Sequence, residues 1–218
     1  RVESFVGETS PQSVGFDAAV EFAPDWRTLD SFLFRSPMFL QAIKWGLLPQ
    51  LYQQQSITTY ERLVRRMLAK PDVPYVRFRC ATPGFDNSAR RTEKGAAVYV
   101  GSTPERYGQW LSSLVQKTIT HRAGDERIVF INAWNEWGEG NHLEPDRRFG
   151  LGFLEATRQA LAILPVLSVA DSESLIQPHI THASLWKQRY WKLKSALEEL
   201  RVVYRHTHYW RSRGYDED

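Results

Sequence analysis

Four short runs of β-forming residues recur along the sequence with helical periodicity between them, and that alternation constrains the fold more than any other feature. The runs are Val2 to Phe5, Phe16 to Phe22, Tyr75 to Ala81 and Arg127 to Trp134, each followed by polar or turn-forming residues. Between the last two, Pro104 to Thr120 reads as a helix. A proline is available for its first turn after Ser102 or Thr103, and Tyr107, Trp110, Leu111, Leu114 and Val115 stand at helical spacing. Tyr60 to Ala69 reads as a second helix, stopped before Pro71, and Leu151 to Ile163 as a third, ended by Pro165. Strands alternating with helices predict an α/β fold of parallel βα units, either a (β/α) barrel or an open doubly wound sheet. A full barrel takes eight units in roughly 250 residues. The sequence has 218 residues and shows about four units, which is half a barrel. It begins "RVESF", with no initiator Met, and the expectation is that the protein starts earlier.

Residues 164–184 carry Ser, Asp, Pro and His with little periodicity and read as a linker. Beyond it, Trp186, Tyr190, Leu193, Leu197, Leu200 and Tyr204 fall at steps of four and three, the seam of an amphipathic helix. That seam suits docking on its own domain, a coiled-coil contact, or a membrane surface reached through the basic face. Residues 186–213 hold eight Lys and Arg against two Glu, and Asp216, Glu217 and Asp218 close the chain as an acidic tail.

The formal net charge is +3, and that basic segment accounts for it, so residues 1–185 are neutral and show no electrostatic footprint for nucleic acid. The single cysteine, Cys80, excludes an internal disulfide and suits a reducing, cytoplasmic compartment. No apolar run approaches the roughly 18 residues of a membrane span. A 13% aromatic share fits either heavy cores or a flat ligand such as a sugar ring.

The chemistry concentrates in "INAWNEWGEGNHLEPD", Ile131 to Asp146, where the apolar run Ile128 to Ile131, which reads as a buried strand, comes to its end. In a parallel sheet the carboxyl end of a strand is where ligands bind. Glu136 and Glu139 are three apart, so a single helical turn places both on one face with Cβ atoms roughly 5 to 6 Å apart. Two like charges in one pocket separate their titrations, which yields an acid and a base. Trp134 and Trp137 offer apolar walls and stacking faces, while Asn132, Asn135 and Asn141 offer amides for hydroxyls. Such a set suits glycoside chemistry. His142 with Glu144 and Asp146 matches no common zinc or calcium spacing, and His142 reads better as a hydrogen-bonding support. No phosphate-binding glycine pattern is present in this segment, and neither a metal nor a cofactor is called for.

The segment "NAWNEWGEGNHLEPD" closely resembles the signature of WbsX-type proteins of bacterial lipopolysaccharide O-antigen synthesis, which are similar to glycoside hydrolase family 99, the endo-α-mannosidases. "GFDAAVEF" (Gly15 to Phe22) and "PGFDNSARR" (Pro83 to Arg91) resemble two further motifs in the same order, and together the three cover roughly residues 1–163. The resemblance implies that these residues are the carboxy-terminal half of a (β/α)8 TIM-type barrel acting on a sugar of a cell-surface polysaccharide. It implies Glu139 as general acid/base and Glu136 as the partner that deprotonates the sugar's own 2-hydroxyl. Trp134, Asn135, Trp137, Asn132, His142, Glu144, Asp86, Asn87 and Arg90 are the expected substrate contacts, although "PGFDN" is equally good turn chemistry. Asp17 and Glu21 share a strand face of unassigned direction. Phe85 stands where the family more often has Trp, a substitution expected to soften stacking. A glycosyltransferase and a catalytically silent glycan-binding module remain rival readings. An open half-barrel is also expected to expose apolar faces.

Overall fold

The computed structural model describes residues 2, 10–28, 37–47, 55–91 and 95–162. The expected linker at 164–184 and the amphipathic helix and acidic tail of 185–218 lie outside the described residues. Within them the order is β1 (Ala19–Val20), α1 (Pro37–Lys44), β2 (Ser56–Thr59), α2 (Tyr60–Leu68), β3 (Arg77–Ala81), β4 (Ala97–Val100), α3 (Pro104–His121), β5 (Val129–Ile131), β6 (Asn135–Glu136), β7 (Asn141–His142) and α4 (Gly152–Ala162).

The sheets that carry the fold are parallel. One has the order β1-β3-β5, with Val20 opposite Phe78 and Cys80 opposite Phe130, and Val2 adds an isolated parallel bridge to Val20. Three of the four runs read from the sequence thus lie in sequence order across one sheet, and the first touches it at Val2. The other sheet, β2-β4, was not expected. Its strands are short, and "SITT" is too polar to announce itself. Ala97–Val100, bounded by Gly95 and Gly101, did carry a legible β signal. No closed barrel is formed among the described residues.

Helix boundaries follow from local chemistry. Thr59 caps α2 and Thr103 caps α3, each side-chain oxygen accepting from the backbone N–H three residues on, Arg62 and Arg106, at 3.3 Å. All five residues predicted for the apolar stripe of α3 are buried. They meet Tyr60, Leu63 and Met67 of α2 over Ala81 of β3, with Tyr60 and Trp110 edge to face at 5.9 Å. Against α4, Tyr107 packs edge-on to Phe153 at 5.7 Å and its hydroxyl meets Thr157 at 3.1 Å.

Side chains alternate across a strand. Arg77, Arg79 and Ala81 therefore share the helix-covered face, where Arg77 donates to Pro71 O and Arg79 to Met67 O beyond and at the end of α2. Phe78, Cys80 and Phe130 take the other. The run Ile128 to Ile131, read as a buried strand, is corrected here: Ile128 is 43% and Phe130 40% exposed, and among the described residues the ring partner of Phe130 on that face is Phe78, tilted against it at 6.0 Å.

A buried charge cluster ties β1 to α2. Glu21, 1% exposed, meets Lys70 at 3.2 Å and Arg79 at 3.5 Å, and Lys70 reaches Asp25 at 2.6 Å. Asp17 instead lies exposed ahead of β1, because the strand is only two residues long, so the expected shared face with Glu21 does not exist. Burial pushes the Asp25 carboxyl up, but hydrogen bonds from Arg27 and Lys70 outweigh it and hold the group down at about 2, against an ordinary 3.8. Asp25 thus contributes stability that is present above pH 3.8 and lost as pH falls through about 2. The expected loss is on the order of 2 kcal/mol. Chemical denaturation across that window should show it, and Asp25→Asn should be less stable at pH 7 and flatter below pH 4.

Candidate functional site

Beyond Ile131 the chain leaves the sheet and folds back on itself. Asn132 N–H still bonds Ala81 O at 2.9 Å, and Leu143 and Glu144 then donate to Trp134 O at 2.8 and 3.0 Å. The antiparallel pair β6-β7 closes a hairpin, with Asn135 opposite His142 and Glu136 opposite Asn141. Its loop is a 3₁₀ turn, Trp137–Glu139, that begins at Glu136, and residues three apart in such a turn eclipse one another. The spacing of the two glutamates is thereby converted into a shared face. Gly140 ends the turn at φ 54° and donates to Trp137 O. A Cβ there would both force a left-handed residue and stand 3.3 Å from Asp86.

Arg90 joins the two carboxylates. Its Nη2 bonds Glu136 Oε1 and its Nη1 lies 3.3 Å from Glu139 Oε1. The guanidinium is half exposed, so each pair contributes about 0 to 1 kcal/mol and the fold does not depend on them. What the arrangement provides is placement: two carboxylates facing one cation at the carboxyl end of a parallel sheet.

The loop that carries Arg90 is bound to both neighbours. Asp86 N–H donates to Glu139 O at 2.7 Å, and Tyr99 N–H of β4 donates to Phe85 O at 2.9 Å. Asn87 was expected to face a sugar, and this is corrected: it is buried, its Oδ1 accepting from Ala97 N–H at 2.7 Å in place of a strand partner. Phe85 is likewise no stacking platform. It is 2% exposed, edge-on to Trp26 at 5.3 Å and to Tyr99 at 6.2 Å.

The asparagines divide by burial. Asn141 is buried, its Oδ1 taking Thr82 Oγ1 at 2.7 Å and Ala133 N–H at 3.2 Å, which fastens the hairpin to the end of β3. Asn132 donates to Ala23 O at 2.7 Å. Of the three amides offered to hydroxyls, only Asn135 is exposed. Trp134 and Trp137 are about half exposed. Trp137 stacks on His142 at 3.7 Å and donates from Nε1 to Glu144 at 2.7 Å, and His142 Nε2 contacts Asp146 at 3.2 Å. His142, Glu144 and Asp146 thus brace the Trp137 ring. Asp86 Oδ1 accepts from Ser88 N–H and Oγ.

Cys80 is no nucleophile: burial pushes its thiol up to about 12. Among the described residues no group of three or more His, Cys, Asp or Glu could hold a metal ion, and no helix is long and apolar enough to cross a membrane.

A parallel α/β frame carries the paired glutamates beyond its strand β5, and the chain belongs to the family described as glycosyltransferase WbsX, whose model matches residues 1–157. It is similar to the uncharacterized protein WxcX of Xanthomonas campestris pv. campestris in two strains, 39% identical to each over 155 residues. The match covers 71% of this chain and 21% of WxcX, so the chain spans about a fifth of the length of those relatives. No solved structure matches.

Gly138 offers a selective way to disturb the site. A Cβ there would stand 2.5 Å from Arg90 Nε, and a flexible guanidinium yields before backbone does. Gly138→Ala should change stability by no more than about 0.5 kcal/mol in chemical denaturation, yet lift Arg90 off both carboxylates in a crystal structure of the variant.

Proposed function

We propose that this chain carries the carboxylate pair of an enzyme that acts on glycosidic bonds of a cell-surface polysaccharide. We further propose that its parallel sheet is the carboxy-terminal half of a (β/α)8 barrel, residues 1–163. The parallel order of Val2, β1, β3 and β5, which advances along the chain across one sheet while β2 and β4 pair apart from it, supports the barrel reading. The observation that carries the functional reading is the convergence of Glu136 and Glu139 on one guanidinium beside two half-exposed tryptophans.

In this reading Glu136 takes the proton of the sugar's 2-hydroxyl, and that oxygen attacks the anomeric carbon while the bond to the leaving oxygen breaks. Glu139 gives the leaving oxygen its proton. Water then opens the anhydro sugar, losing a proton to Glu139 as Glu136 returns one to O2. Neither carboxylate needs to lie across the ring from the other, which suits two glutamates on a single turn. Trp134 and Trp137 stack the sugar, Asn135 binds hydroxyls, and Arg90 holds the pair until hydroxyls replace it. The reaction belongs to the cytoplasmic face of polysaccharide assembly.

The family's description favours a second reading, transfer from a nucleotide sugar. Incubating the intact protein with α-mannosyl and O-antigen oligosaccharides, with and without nucleotide sugars, separates the two. New reducing ends without nucleotide support hydrolysis, and sugar transfer only with nucleotide supports the transferase. Glu139→Gln should lower turnover by roughly a hundredfold or more while glycan affinity is kept. Unchanged turnover in both Glu136→Gln and Glu139→Gln would overturn the paired-carboxylate mechanism.

A further inference from the structure

Beside the hairpin, a cavity of about 410 Å³ opens between loop 83–86, the end of β4 with Gly101 and Ser102, and the turn at 146–149. That volume lies within the ~300 to 1,000 Å³ of ligand pockets. It shares Asp86, Gly140 and His142 with the surroundings of the glutamate pair, so the two are contiguous. Its rim holds Arg147 and Arg148, neither anticipated from the sequence.

Hydrogen-bonding supply and demand are unequal there. Asp146 is already engaged by His142 Nε2 and by the N–H groups of Arg148 and Phe149, both at 2.7 Å, and Asp86 by Ser88. Both oxygens of Asp146 and one of Asp86 are thereby taken, which leaves Asp86 Oδ2 against two guanidinium groups. Elsewhere Arg27, Arg79, Arg90 and Arg122 each hold a carboxylate. Arg147 and Arg148 are exposed, and among the described residues neither pairs with one; the Arg148 guanidinium lies over the Phe149 ring at 4.8 Å. The cavity therefore presents donors in excess of acceptors beside an aromatic ring. A ligand that complements it brings its own acceptors, and a planar fork of donors suits an oxyanion best.

We propose that this cavity is a second subsite, one that receives a sugar residue bearing a carboxylate or phosphate, with Arg147 and Arg148 as its donors. This specificity rests on the glycan reading of the neighbouring pair and restricts it to acidic glycans.

The test is calorimetric titration of the intact protein with methyl glucuronide, glucose 1-phosphate and methyl glucoside. The acidic sugars should bind at least roughly tenfold more tightly than the neutral one, the size of one charge-assisted hydrogen bond. Whichever of the two binds better identifies the source of the anion. The preference should vanish in Arg147→Gln/Arg148→Gln, survive in part in Arg147→Lys/Arg148→Lys, and persist in Glu139→Gln even where turnover is gone. Equal binding of neutral and acidic sugars, or no binding of any acidic sugar at millimolar concentration, would overturn the proposal. So would a preference kept by the double Gln variant and lost in Arg90→Gln, which would place the anion at the glutamate pair. Loss of turnover in Glu139→Gln with the acid preference intact separates this proposal from the catalytic one.

Discussion

A single guanidinium joins two parts of the chain that lie far apart in sequence. Arg90 reaches from the loop after β3 to Glu136 and Glu139 on the hairpin after β5, so the ends of neighbouring strands meet at one cation. Two carboxylates on one turn repel, and the cation between them makes their proximity tolerable. The pairs are too exposed to stabilise the fold by much, which separates this cluster from the buried one around Lys70, where loss of a partner strands a charge in the interior. One cluster anchors β1 to the helix layer; the other arms the mouth of the sheet.

The precision of that placement comes from the backbone. Asp86 N–H to Glu139 O joins loop to hairpin, Asn87 and Phe85 join the loop to β4, and Asn141 joins the hairpin to Thr82. Glycine permits the close approach on both sides: Gly140 against Asp86, and Gly138 beneath the guanidinium. Each of these positions has a physical reason to lack a side chain: the neighbouring segment in both cases, and at Gly140 the left-handed backbone as well.

Much of this was legible in the sequence. Period 3.6 identified the buried face of α3 residue by residue, because a helix buries a stripe whatever lies beyond it. The three motif segments were found, and the i, i+3 spacing foretold a turn that gathers Glu136 and Glu139. Other features depended on partners far along the chain. Arg90 lies 46 and 49 residues from the glutamates it joins, and no local pattern reports such a pairing. Asn87 and Asn141 looked like ligand contacts because an asparagine that bonds the fold's own backbone and side chains has the same side chain as one that binds a sugar. The β5 run looked buried because its composition is apolar, whereas burial depends on what packs on each face.

The shared guanidinium is most directly examined by ¹⁵N NMR of the Arg90 side chain in the intact protein. Anchoring at both ends hinders rotation about the Cζ–Nε bond, so resolved Nη signals are expected in the native protein, collapsing to one averaged signal in Glu136→Gln/Glu139→Gln. A single averaged Nη signal in the native protein, unchanged by that double substitution, would contradict the arrangement on which the site is built.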